Sequence, residues 1–153
     1  MACGDGPSAG THHLSDLPWT SATNGWGPVE RDRSNGEQSS GDGRTLMVGG
    51  TTFAKGLGAH ATSAVTYYLG AGCSTFRTGV GVDDEVGSNG SVTFEIHVDG
   101  KKAADSGRLT GAGSSTTLTV SVTNALELTL RVTDAADGIT YDHADWLTPQ
   151  LTC

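Results

Sequence analysis

The chain has 153 residues with 17 acidic against 9 basic side chains, a formal net charge of -8, only 35% hydrophobic residues and 23 glycines. That length suits one domain with its own core, and so few cations cannot track a phosphate backbone or an anionic membrane surface, which excludes nucleic acid and membrane as partners. No stretch approaches the roughly 20 apolar residues of a spanning helix, and the abundance of glycine with few aromatics argues for turns and strands over long helices.

Met1 to His13 is Gly/Ser/Pro/Thr-rich and aperiodic, so residues 1–13 are expected to be a flexible tail or linker, with the folded module running over 14–153. Met1–Asp5 lacks the basic start and apolar run of a secretion signal, and Met1 is read as a start codon added to an excised fragment.

Trp19 to Asp32 is a Gly-broken stretch holding Trp19, Trp26, Glu30, Arg31 and Asp32. Indole stacks on the apolar face of a sugar, and carboxylate or guanidinium groups meet the hydroxyl rim, so Trp26 and Glu30 are candidate ligand contacts. Trp19 reads as a core plug. Ser34 to Arg44 is short and polar and reads as a surface loop.

Gly56-Leu57-Gly58-Ala59-His60-Ala61 formally fits a G-x-G-x-x-A nucleotide pattern, but Val65-Thr66-Tyr67-Tyr68-Leu69 follows with strand character. No helix N-terminus is available for a pyrophosphate, which excludes that reading. His60 is left as a possible donor to a sugar hydroxyl, or as a satisfied structural histidine.

Val65, Tyr67 and Leu69 alternate with polar residues, as do Phe76, Val80 and Val82. Ser91 to Val98 has every even position apolar, Asp99-Gly100 supplies a hairpin turn, and Lys101 to Asp105 is the return strand. The alternation recurs at Leu118, Val120 and Val122, and at Leu126, Leu128, Leu130 and Val132. Five or more short strands with no helical period predict an all-β protein, two packed antiparallel sheets in a sandwich of jelly-roll type.

Two acidic clusters lie between these strands. Asp83, Asp84 and Glu85 repel one another unless a cation, hydroxyl donors or solvent offset the cost. Asp134 to Trp146 carries Asp134, Asp137, Asp142, His143, Asp145 and Trp146. Its oxygen density suits calcium, with Asp134 and Asp137 as candidate ligands, although the spacing is not that of an EF-hand. Asp142, His143 and Asp145 beside Trp146 would equally make a polar sugar clamp with an aromatic wall, or Trp146 is a core residue of the last strand.

Of three cysteines, Cys73 and Cys153 are expected to form a disulfide clipping the last strand to the body, which suits an extracellular location; three idle thiols are the alternative, and Cys3 is unpaired under either. No H-E-x-x-H motif is present, and the G-x-S-x-G string Gly6-Pro7-Ser8-Ala9-Gly10 falls in the aperiodic stretch, with no strand before it to form a nucleophile elbow. So small a sandwich offers no deep cleft, so the module is read as non-catalytic. A weak glycosidase and a structural β-domain of a multidomain glycosidase, without its own ligand, are the competing readings.

Taken together, His13 to Leu17, Trp19 to Ser34, Phe53 to Ala61, Val80 to Gly87, Asp99 to Gly107 and Asp142 to Trp146 resemble, in order, the NPCBM family, placed in carbohydrate-binding module family 51. The resemblance implies a galactose-binding-domain-like jelly roll attached to secreted, extracellular glycoside hydrolases. It implies recognition of galactose-type or related sugar termini, often with a structural calcium ion and no organic cofactor. Carried over by position, its motif residues are Trp26, Glu30, Asp32, His60, Asp83, Asp84, Glu85, Asp142, His143, Asp145 and Trp146.

Overall fold

The computed structural model describes residues 6–7, 9–25, 28–34, 44–84, 90–111, 115–134 and 143–153. Thirteen strands are described: β1 (Thr11–His13), β2 (Ser21–Thr23), β3 (Glu30–Arg31), β4 (Leu46–Val48), β5 (Thr51–Phe53), β6 (Gly56–His60), β7 (Ser63–Tyr68), β8 (Thr75–Val82), β9 (Ser91–Val98), β10 (Lys101–Thr110), β11 (Thr116–Ser121), β12 (Glu127–Thr133) and β13 (His143–Thr152). A 3-10 turn, Leu14–Asp16, follows β1. Six strands form one sheet in the order β11-β8-β13-β6-β3, with β1 also on β13; five form the other, β10-β9-β12-β7-β2; and β4-β5 is a separate hairpin. Every pairing is antiparallel. The architecture is the expected all-β jelly-roll sandwich.

The two-residue period explains what lies between the sheets. Phe94 and Ile96 of β9, Leu128, Leu130 and Val132 of β12, and Val65 and Tyr67 of β7 face Phe76, Val80 and Val82 of β8 and Ala144 and Trp146 of β13, all buried. Phe94 and Trp146 bridge the sheets edge to face, centroids 5.0 Å apart at 87°, a geometry worth about 0.5–1.5 kcal/mol beyond area burial. The Tyr67 hydroxyl donates to the Leu14 carbonyl at 3.2 Å, and burial pushes its phenol far above the usual tyrosine range.

Trp146 is therefore a core residue, fully buried, and the expected aromatic wall for a sugar is corrected. The same strand changes face further on. Its register with β8 shifts between Leu147 and Gln150, so Trp146 and Leu151 both reach the main core despite their odd separation.

Three other expectations change. Thr11–His13 pairs with Gln150–Thr152, so strand pairing begins ahead of Leu14, within the stretch read as tail. Leu126 is 51% exposed, because its amide, with that of Glu127, is turned to the Asp99 carboxylate at 2.9 Å ahead of the strand. The inward row of β12 begins at Leu128. The β10 return strand runs on to Thr110, with two register shifts against β9. Cys73 and Cys153 form a disulfide; Cys3 lies outside the described residues.

The connections sort by pole. The last residues of β2, β6, β8, β10 and β12 and the first of β3, β7, β9, β11 and β13 lie at one end of the sandwich, where the chain crosses from one large sheet to the other. The disulfide and the Gly10–Cys153 hydrogen bonds, 2.9 and 2.8 Å, sit at the opposite end.

Candidate functional site

At the connection-bearing pole the six-stranded sheet presents polar side chains on its outer face. Antiparallel register sets Glu30 opposite Gly58, Gly58 opposite Asp145, and Asp145 opposite Gly81, so these four share one row. The next row toward the pole holds His60 opposite His143, with the Asp83 amide donating to the His143 carbonyl at 2.9 Å. Alternation sends Ala59, Val82, Ala144 and Trp146 into the core, and the five polar residues to the other face. All five are buried.

The cover is the β4-β5 hairpin. Leu46 and Val48, with Phe53, form a small second core on Leu147, and the hairpin sits this low because Gly56 and Gly81 beneath it carry no side chain. A Cβ on Gly81 would fall 2.5 Å from Val48 Cγ1, closer than packed carbons come. The two aspartates that follow fasten the hairpin. Asp83 Oδ2 accepts from the Met47 amide at 3.2 Å, and the two oxygens of Asp84 accept from the Gly49 and Gly50 amides at 3.0 and 2.8 Å. Backbone donors thus offset the repulsion within the acidic run. Asp83, 1% exposed, holds the hairpin instead of presenting its carboxylate to a ligand, which corrects the sugar-contact expectation for it, and half-buried Asp84 fastens the same hairpin.

His60 is held on every side. Its amide donates to Asn24 Oδ1 at 2.7 Å, and its carbonyl accepts from the Gly25 amide at 3.1 Å. Gly25 must be glycine, because a Cβ there would collide with the Ala61 carbonyl. His60 Nδ1 lies 2.8 Å from the Ala61 carbonyl, which only accepts, so Nδ1 carries the proton. The ring meets His143 edge to face at 5.2 Å and 63°. Full burial of His60 and Asp145 removes them as direct sugar contacts, and Glu30, 3% exposed, is likewise beneath the surface. His143, 7% exposed, is the member of the cluster that reaches furthest outward.

Asp32 belongs to a separate seam. Its carboxylate accepts from Lys55 Nζ at 2.9 Å and the Gly56 amide at 3.1 Å. Partial burial raises its pKa, but hydrogen bonds from Ser15, Lys55 and Gly56 outweigh this and hold the carboxyl below its ordinary value. It ties β3 to β6. Trp19 is half-buried against the core, with the Arg31 guanidinium 4.0 Å from its ring centroid.

Trp26, Glu85, Asp137 and Asp142 lie outside the described residues. Asp134 is half-buried just past β12, and among the described residues no three His, Cys, Asp or Glu side chains gather as metal ligands. No described helix is long and apolar enough to cross a membrane. Sequence reasoning missed Asn24 and Gly25; the signal for both was the Asn-Gly pair ahead of Trp26, which reads as a turn and nothing more.

Comparison with known proteins agrees with this arrangement. The chain is 38% identical over 144 residues, 92% of its length but 9% of the relative's, to a Renibacterium salmoninarum protein named "Putative endo-alpha-N-acetylgalactosaminidase". It superimposes on the CBM51 module of Clostridium perfringens GH95, solved with methyl-galactose, with a TM-score of 0.83 and 34% identity over 93% of this chain and 99% of that one. CBM51-2 of Clostridium perfringens ZmpB, solved with GlcNAc and the INT domains, also gives 0.83 and 34%, over 92% of this chain and 31% of that one. The chain spans only 9% and 13% of the curated relatives it matches. With the NPCBM/NEW2 domain profile matching residues 10–152, the same span that the two sheets enclose, the chain belongs to the NPCBM/NEW2 domain family.

Proposed function

We propose that the chain is a non-catalytic carbohydrate-binding module that takes a galactose-type sugar terminus at the connection-bearing pole and holds an attached glycoside hydrolase on extracellular glycan. The observation that carries this reading is the superposition, nearly end to end, on a module solved with methyl-galactose. The buried cluster of Glu30, His60, His143 and Asp145 serves as a rigid floor that sets the angle of the connections above it. Rigid supports of this kind make a shallow site more selective than loops alone. Binding without bond cleavage raises local substrate concentration by tethering.

Titration calorimetry with methyl-galactoside, N-acetylglucosamine and N-acetylgalactosamine tests it. Saturable binding at micromolar to millimolar concentration, about 4–8 kcal/mol, with no reducing sugar released from any glycan, is the expected result. Silence toward all three, or hydrolysis, overturns it. Calcium is carried as part of the proposal on Asp134 and Asp137. A melting temperature that falls with EDTA and recovers with added calcium supports it, and an unchanged one removes it.

A further inference from the structure

Away from the pole, the outer face of the six-stranded sheet carries a depression of about 140 Å³. Its origin is visible in the register. Gly79 lies between Thr117 and Leu147, and Arg77 between Thr119 and Gln150. A glycine at the centre of the row leaves a dip, and the irregularity of β13 raises one wall. There Thr148 takes φ +45°, an uncommon conformation for a β-branched residue, with its amide donating to the Lys55 carbonyl at 2.8 Å. Bulges of this kind re-aim side chains beside binding sites.

Five polar residues line the dip; Thr78 is buried and donates its hydroxyl to the Gly79 and Leu147 carbonyls, which leaves four, Arg77, Thr117, Thr148 and Gln150. Among the described residues none of the four spends its side chain on another protein group, and Arg77 and Thr117 are exposed. The guanidinium is the only charge on the lining, in a chain where acids outnumber bases 17 to 9. Leu147, buried under Leu46, Val48 and Phe53, closes one side of the dip. A guanidinium with hydroxyl and amide groups around it matches a hydroxylated ligand that bears one anionic group. Gly79 and Leu147 at the centre of the dip lie two residues along β8 and β13 from Gly81 and Asp145, so the dip borders the polar cluster, with Arg77 on the side away from it.

We propose that this depression is a second saccharide site, selective for a sugar carrying a single carboxylate or sulfate held by Arg77. It stands independently of the reading of the pole. The test follows backbone amide resonances of the intact chain during titration with the methyl glycoside of N-acetylneuraminic acid, with galactose 6-sulfate, with neutral methyl-galactoside and with sodium sulfate.

Either anionic sugar should move the amides of Arg77, Thr117 and Thr148 saturably in the millimolar range, and whichever does so identifies the anion. Saturating methyl-galactoside should not compete. Arg77→Gln should weaken the response about tenfold or more, and raising sodium chloride from about 0.05 to 0.5 M should weaken it severalfold. Thr117→Glu, on the exposed face of β11, is the second variant and should abolish it by repulsion. Arg77 and Thr117 are exposed, so both variants should keep the wild-type melting temperature. The proposal is overturned if no anionic sugar moves these amides, if the neutral sugar moves them equally, if both variants respond like wild type, or if sulfate alone matches the sugars, which would make the site that of an adventitious ion only.

Discussion

Removing the Cys73–Cys153 disulfide should lower stability strongly while leaving sugar affinity alone. The bridge closes a loop of 80 residues, and the chain-entropy relation for a loop of that length gives about 4.5 kcal/mol. Denatured chains are more compact than that relation assumes, so about 3–4.5 kcal/mol is the working range. With a urea slope of roughly 2 kcal/mol per molar for a domain of this size, the midpoint should fall by about 1.5–2 M. The variant to compare is Cys73→Ala with Cys153→Ala, because Cys73 is buried and a serine hydroxyl there would add a desolvation cost of its own. Equilibrium unfolding followed by tryptophan fluorescence reads the midpoint, and methyl-galactoside titration of the folded variant reads the site. The bridge and the polar cluster lie at opposite ends of β8 and β13, so affinity should stay within about twofold. A midpoint shift below about 0.5 M would refute the entropic argument, since the Gly10–Cys153 and Ser74–Thr152 hydrogen bonds would then be closing the seam unaided.

Other outcomes follow from the packing. Gly81→Ala puts a methyl against Val48 and should cost about 1–3 kcal/mol by overpacking; Val48→Ala in the same chain should return part of that loss, read by a double-mutant cycle in urea. Asn24→Ala removes the acceptor of the His60 amide and should cost about 1–3 kcal/mol together with a severalfold loss of methyl-galactoside affinity, and Asn24→Asp, which keeps the acceptor, should restore most of both. The Tyr67 phenol is raised in the folded state. Above pH 10 the unfolded chain therefore releases a proton that the folded chain keeps, and stability falls as pH rises; Tyr67→Phe should flatten the alkaline limb of a melting-temperature profile.

The strands were legible because a half-buried strand writes its period into the sequence: Phe94, Ile96 and Val98 on one side, Thr93, Glu95 and His97 on the other. Faces were harder. Asp83, His143 and Asp145 look like site residues in one dimension, since carboxylates and imidazoles are seldom buried. Nothing in their own spacing announces that a hairpin contributed by residues 46–53 lies over them. Gly56, Gly58, Gly79 and Gly81 carried that information, as alternating pairs on the two strands that flank β13, but glycine also marks turns, and the two meanings separate only when the strands are paired. Trp146 failed for a related reason: indole serves a core and a sugar equally well, and the face of β13 on which it falls depends on pairing with β6 and β8.

The mutual hydrogen bonds of Gly10 and Cys153 put entrance and exit of the fold side by side, on the base opposite the polar cluster. Such a fold can be spliced into a longer polypeptide like a knot tied in a cord. Segments joined at Gly10 and Cys153 would continue from nearly one point, no strand would have to be rethreaded, and the polar cluster would stay at the far end.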